Sequence, residues 1–211
     1  GYANLGLENL EHAINNWDKA MELGMVNLAM HTIRANTYLE LSMHEKSIEE
    51  YGEAIRINPR DPELFSARGS VHSILGDMNL AIQDFGVAIE IDPTYAEAYN
   101  KRGIAFAQKN DLDRAVADYG RAIARDPNHV EAYSSRGIAY MILGMLPKAV
   151  VDFSTAIRLD PDFKVAYVER TIANTLLGNE KAAREDYIKA VELGMDEEVL
   201  SDRIKYAMNG G

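Results

Sequence analysis

The sequence of 211 residues contains no cysteine, which excludes disulfide bonds, thiol catalysis and thiolate metal sites. Positive charge is also scarce, because 22 lysine and arginine residues stand against 33 acidic residues and leave a net charge of −11. Nucleic-acid binding depends on neutralising phosphates with lysine and arginine, so we expect no nucleic-acid partner, and the same deficit disfavours an anionic membrane surface. A protein partner of neutral or basic character is compatible with this charge.

Long apolar runs and targeting signals are missing as well. No run approaches the roughly 18 apolar residues that cross a membrane, and no signal peptide is visible, so we expect a soluble protein without membrane insertion. We expect it in the cytoplasm rather than the periplasm, although the lack of cysteine fits both compartments. The chain begins at Gly1 without methionine, which is compatible with a fragment of a larger protein or a processed form.

Signals for catalysis are weak. The five histidines are spread along the chain without the spacing of metal ligands, and the sequence has neither a glycine-rich phosphate loop nor a nucleophile elbow. We therefore expect no enzyme activity, no cofactor and no metal.

What the sequence does have is a repeat with a period of 34 residues. The positions that define the middle repeat, residues 96–129, are Tyr99, Gly103, Phe106, Ala115, Tyr119, Ala122 and Pro127. Apolar residues recur there at steps of three and four, which predicts two helices. Asn110 and Asp111 separate the helices, with Asp111 as the N-cap of the second, and Asp126 before Pro127 ends it.

The period divides the chain into five full repeats, residues 28–61, 62–95, 96–129, 130–163 and 164–197. Residues 1–27 are predicted to hold only the second helix of a partial repeat, because Ala13, Trp17 and Ala20 have the spacing of the marker residues in later second helices. Residues 198–209 are predicted to form a helix that caps the last repeat. We therefore predict a single solenoid domain over residues 1–211.

These marker residues resemble the tetratricopeptide repeat family, and the resemblance covers essentially the whole chain after Glu8. The resemblance implies an all-α fold, a right-handed superhelical solenoid of antiparallel helix hairpins whose first helices line a concave groove. It also implies a non-catalytic protein–protein interaction scaffold that binds a peptide or protein segment in the groove.

The repeat departs from the commonest family pattern at two positions. Arginine, instead of the usual leucine, precedes the small residue of each first helix, and an acidic residue follows sixteen positions later. The resulting pairs are Arg34 with Glu50, Arg68 with Asp84, Arg102 with Asp118, Arg136 with Asp152, and Arg170 with Asp186. We expect each arginine to form a structural ion pair with the acid of its own repeat or of a neighbouring one.

By the family resemblance, the groove is lined by residues of the first helices. The predicted binding residues are Asn100, Lys101, Ile104, Ala107, Gln108, Ser134, Ile138, Met141, Ile142, Val168, Ile172 and Leu176. Thr32, Ser66 and Ser70 make the early repeats more polar, which predicts a groove that becomes apolar toward the C-terminus. A row of isoleucines at the repeat period is either an exposed interaction patch or half-covered by neighbouring helices. It comprises Ile104, Ile138 and Ile172.

Two alternatives to a groove-binding scaffold stay open. The predicted helices at both ends lack partners, and residues 22–25 and 192–195 share the sequence Glu-Leu-Gly-Met. Two copies could therefore associate end to end or exchange terminal helices. The chain could also be the regulatory domain of a larger protein.

Overall fold

The computed structural model describes residue 17 and residues 27–209, and every regular element in this part of the chain is an α-helix. Residues 27–209 contain α1 Leu28–Glu40, α2 His44–Ile57, α3 Pro62–Ile74, α4 Met78–Ile91, α5 Ala96–Gln108, α6 Leu112–Arg125, α7 Val130–Ile142, α8 Leu146–Leu159, α9 Lys164–Leu176, α10 Glu180–Glu192 and α11 Glu197–Met208. The partial repeat predicted in residues 1–27 lies outside the described residues, apart from Trp17. The repeat boundaries stay a prediction.

Side chains before several helices accept hydrogen bonds from backbone N–H groups that the first turn leaves unpaired. Asp111 accepts from the backbone nitrogen of Arg114 at 3.3 Å, which confirms it as the N-cap of α6. Asp61, followed by Pro62 at the first helical position, caps α3 in the same way. Asp196 caps α11 through the backbone nitrogen of Val199 at 2.9 Å.

The Asp-Pro dipeptides end the second helices through local hydrogen bonds as well as through the ring of proline. The carboxylate of Asp126 accepts from the backbone nitrogen of Asn128 at 2.9 Å, and Asp92 and Asp160 make the equivalent bond two residues along the chain. This turn satisfies the aspartate where proline prevents the helix from continuing.

The turn between the first and second helix needs a left-handed residue at a fixed place. Gly76, Gly144 and Gly178 have φ between 72° and 85° there, and Asn110 and Ser42 take the same conformation at 61° and 58°. Glycine and asparagine adopt this region at the least steric cost. The period of 34 residues in the sequence therefore recurs in the backbone itself.

The chain divides into two compact units, Gly1–Ala105 and Phe106–Gly211. In the first unit α1 packs on α2, α2 on α3, and α3 on α4. Its core clusters contain Ala35, Tyr51, Ala54, Leu64, Val71, Ala81, Phe85 and Ala105. Small alanines let the helices approach closely, while the aromatic rings fill the remaining space.

The second unit repeats this construction with α6 to α11. There α7 packs on α6 and α8, α9 packs on α8 and α10, and α11 packs on α9. Its core clusters contain Ala149, Phe153, Ala156, Ala166, Tyr167, Val168, Ala173, Ala190 and Leu200. The alternation of first and second helices brings α7 and α9, both first helices, into direct contact.

Candidate functional site

Three of the predicted arginine–acid pairs are joined by two parallel hydrogen bonds within one helix hairpin. In the pair of Arg136 and Asp152, Nε and Nη2 each donate to a different carboxylate oxygen at 2.8 Å. Arg68 binds Asp84 in the same geometry at 2.7 and 2.8 Å, and Arg170 binds Asp186 at 2.6 and 2.8 Å. The fork of the guanidinium matches the two carboxylate oxygens, which fixes the first helix against the second.

These pairs perturb the titration of the arginines in the expected direction. The hydrogen bond to Asp152 raises the pKa of the Arg136 guanidinium, and the bond to Asp84 raises the pKa of Arg68. Both carboxylates are buried, whereas both arginines are half-buried. The arginine therefore places a positive charge beside each buried carboxylate inside the hairpin.

The first hairpin has a different arrangement around its acid. Glu50 lies 3.3 Å from Nη2 of Arg34 and 2.7 Å from Nδ1 of His31, and all three residues are buried. Arg102 and Asp118 belong to different compact units, and their pairing stays a prediction. Asp118 is bound by Arg121, one turn along α6, at 2.5 Å.

The predicted groove residues fall into an exposed and a buried group. Ile104, Gln108, Ile138, Ile142 and Leu176 are exposed, and Lys101, Ala107 and Met141 are partly exposed. In the second unit, Ile138, Ile142 and Leu176 lie on α7 and α9 together with exposed Val165. We call these four residues the α7–α9 face. Ile138 and Ile142 are four residues apart and Val165 and Leu176 are eleven apart, and both steps return to one side of a helix, so the four side chains project from the same side of two packed helices.

Four predicted groove residues are buried, contrary to expectation: Asn100, Ser134, Val168 and Ile172. Ser134 and Val168 occupy one repeat position, on the side of a first helix that faces the next first helix, α9 for Ser134 and α11 for Val168. Ile172 on α9, the helix on which α11 packs, is 5% exposed, whereas Ile138 at the equivalent position is 36% exposed. The isoleucine row is therefore exposed at Ile104 and Ile138 and covered at Ile172.

The predicted change from a polar to an apolar groove also needs correction. Ser66 is buried, and two exposed isoleucines, Ile33 and Ile74, occupy groove-type positions of α1 and α3 that the sequence prediction passed over. Their signal was available, since Ile74 lies one period before the predicted groove residue Gln108 and Ile33 lies two periods before Lys101. The first unit consequently offers apolar side chains of its own.

In the described residues, no group of three or more histidines and acids could hold a metal ion. No helix within residues 27–209 is long and apolar enough to cross a membrane.

Comparison with known proteins gives the family and the fold. The family model described as TPR repeat matches residues 35–76, 74–110 and 105–144, and the model described as tetratricopeptide repeat matches residues 130–163. Together these matches span residues 35–163, which is more than half of the 211 residues. Among curated proteins, none matches the chain.

Several solved structures share the architecture. The crystal structure of MamA is 25% identical and covers 75% of this chain and 93% of its own, with a TM-score of 0.69. YrrB, described as a TPR protein with an unusual peptide-binding site, is 19% identical and covers 90% of this chain and 97% of its own, with a TM-score of 0.67. PilF from Pseudomonas aeruginosa is 16% identical and covers 92% of this chain and 86% of its own, with a TM-score of 0.76.

These likenesses show the predicted fold class, an all-α superhelical solenoid. Tetratricopeptide repeats form a protein-interaction scaffold, a fold that is generally non-catalytic and that binds proteins or peptides. With family models over most of its helices and the same fold in its structural neighbours, the chain belongs to the tetratricopeptide repeat family.

Proposed function

We propose that the chain binds a segment of a protein partner on its first helices, and that in the second unit the α7–α9 face is the contact surface. The observation that carries this proposal is the exposure of four large apolar side chains on one side of two packed helices. Ile142 alone is 63% exposed. Apolar side chains clustered on a surface mark sites of protein association, whereas the same residues scattered singly would need no explanation.

The chemistry of this face suits a partner with apolar anchors. Val165 and Leu176 lie on α9 and Ile138 and Ile142 on α7, so the surface extends across two helices. First helices in contact are about 8–10 Å apart, which allows one partner segment to touch both. Burying each of these side chains would contribute about 1.5–3 kcal/mol before the cost of ordering the partner. YrrB, which shares the fold, is described as having a peptide-binding site, and this likeness supports the proposal.

The test compares two substitutions of equally exposed residues in one unit. Ile142 lies on α7 and is 63% exposed, and Val151 lies on α8 and is 64% exposed. Affinity capture with the wild type, with Ile142→Asp and with Val151→Asp, followed by quantitative mass spectrometry, identifies the partners that depend on each position. We expect Ile142→Asp to weaken capture of a specific partner at least about tenfold and Val151→Asp to leave it unchanged.

Both variants change exposed side chains, so their thermal melting should match that of the wild type. Equal capture by the wild type and Ile142→Asp would contradict the proposal. If only Val151→Asp reduced capture of the partner, the binding site would instead be the cleft between α7 and α8. Val151 borders this cleft together with Tyr140 and Lys148.

A further inference from the structure

The C-terminal helix α11 stands in the register of a further first helix. Leu200 follows Ala166 by one period of 34 residues, and both are completely buried. Arg203 follows Glu169 by the same interval, and its Nη2 donates to Oε1 of Glu169 at 2.6 Å. Equivalent positions of α9 and α11 therefore meet side by side, as expected when one first helix stacks on the one before it.

This register determines which side of α11 is exposed. Val199, Arg203 and Tyr206 lie at steps of four and three, so they share one side of the helix. One period earlier, the same three positions in α9 hold Val165, Glu169 and Ile172. Val199 is exposed, and Tyr206 is 70% exposed, the highest value among the exposed large hydrophobic residues in the described part of the chain.

We propose that α11 is a third helix of the binding surface and not only a cap over α9. On this proposal, which rests on the proposed function, Val199, Arg203 and Tyr206 extend the α7–α9 face by one helix. The occupant is a neutral segment of a protein partner with apolar side chains spaced about 10 Å apart. That spacing matches the separation of stacked helices and corresponds to about three residues of an extended chain.

The ion pair at the middle of this surface favours a neutral occupant at that place. Glu169 is buried, and its partner Arg203 neutralises it at 2.6 Å, so the middle of the surface carries no net charge. A charged side chain placed over this pair would lose its hydration without gaining a counter-charge. Tyr206 provides a large amphipathic ring, the type of residue that supplies much of the energy of protein interfaces.

The experiment uses synthetic peptides as probes and the full chain as the protein. One peptide carries leucine at every third position in a neutral serine and glutamine background, and a second has the same composition with the leucines grouped at one end. A third replaces the spacer glutamines by glutamates. Fluorescence anisotropy should show binding of the first peptide and at least about tenfold weaker binding of the other two.

Two substitutions on α11 then separate a binding role from a capping role. Tyr206→Ala should weaken binding of the first peptide at least about tenfold, because it removes an exposed contact residue. Met208→Ala is the matched control, since Met208 is 63% exposed but lies two residues, and thus about 200°, around the helix from Tyr206. Neither substitution should change the melting temperature, whereas Leu200→Ala should lower it, because Leu200 is fully buried.

The failures of the two proposals are distinguishable. If Ile142→Asp weakens binding of the first peptide but Tyr206→Ala does not, α11 is only a cap and the proposed function stands. If Ile142→Asp has no effect, the proposed function fails. If the wild type binds none of the peptides, or prefers the glutamate peptide, the proposal of a neutral occupant is wrong. A peptide that binds only when its leucines are spaced seven residues apart would identify a helical occupant and overturn the extended spacing.

Discussion

The guanidinium of Arg136 binds the second helix of its own hairpin and stands near the second helix of the hairpin before it. It binds Asp152 of its own hairpin through two hydrogen bonds, and its Nη1 lies 3.7 Å from where a Cβ atom of Gly120 would stand on α6. One period later Ser154 replaces the glycine, and Nη1 of Arg170 donates to its Oγ at 2.8 Å. Arg170 therefore links its hairpin to the hairpin before it, in addition to closing its own.

The ion pair of Arg136 and Asp152 leads to an asymmetric mutational prediction. Arg136→Leu leaves a buried carboxylate without its partner and should cost about 3 kcal/mol, the lower end for a broken buried pair because the arginine is half-buried. Asp152→Leu should cost less, since the arginine can turn toward water. The stability of the double variant should be closer to that of the wild type than the stability of Arg136→Leu is. Urea unfolding of all four proteins measures this.

The exposed pair of Arg56 and Glu53 on α2 is the control for this comparison. Arg56→Leu should change stability by less than about 1 kcal/mol, because exposed ion pairs contribute little. Equal stabilities for Arg136→Leu and the double variant would show that Asp152 does not depend on its arginine.

At the scale of the helix, close approach depends on which small residue faces which neighbour. A Cβ atom on Gly137 of α7 would come within 2.6 Å of the ring of Phe153 on α8, and that ring is completely buried. A Cβ atom on Gly120 of α6 would meet only a flexible guanidinium at an ordinary distance. Both glycines lie within helices, but only at Gly137 does the packing of the neighbouring helix require a residue without a Cβ atom.

Alanine substitution should separate these two glycines. Gly137→Ala should destabilise the protein by about 1–3 kcal/mol, because the buried ring of Phe153 has no room to move. Gly120→Ala should instead stabilise it by about 0.5–1 kcal/mol, since alanine lowers the entropy cost of forming the helix. Thermal and urea unfolding measure both effects. A stabilising Gly137→Ala would mean that α7 and α8 are packed less tightly than the structure indicates.

A second connection between paired helices recurs along the chain. The charged group of Lys148 lies 5.4 Å from the ring centre of Tyr140, and Lys46 lies at the same distance from Tyr38. Arg114 stands over Phe106 at 4.6 Å in the equivalent position. A cation over a ring contributes about 0.5–1 kcal/mol at an exposed site. The interval of eight residues between ring and cation is visible in the sequence, although only the structure identifies it as a contact.

At the scale of the whole molecule, each compact unit has core clusters of its own, so neither depends on one central core. Such arrays are stabilised by contacts between neighbouring elements, and the surface that remains is available to partners. The net charge of −11 opposes contact between copies of the chain, and this repulsion weakens as salt is added.

The alternative of self-association is tested at this scale. We expect light scattering to give the mass of a single chain at every protein concentration, at low salt and at high salt. A mass that rises with concentration, and more steeply at high salt, would support association of copies through their ends and would contradict a simple binding module.

The sequence by itself determined the helices and their turns, because these depend on interactions between residues close in the chain. Asp111 caps α6, Asp126 and Pro127 end it, and the arginine and acid of one hairpin are only sixteen residues apart. Family and fold class follow from the same periodic pattern. Local chemistry repeated at a fixed interval leaves few other ways to bury the apolar residues.

Only the tertiary structure decided which groove residues are accessible. Ile138 and Ile172 occupy the same repeat position, yet one is exposed and the other is buried where α11 packs on α9. Ser134 and Val168 are buried because the side of a first helix that faces the next one is covered by it. Accessibility at a given position therefore depends on a helix one period away in sequence, which the pattern within one repeat does not contain.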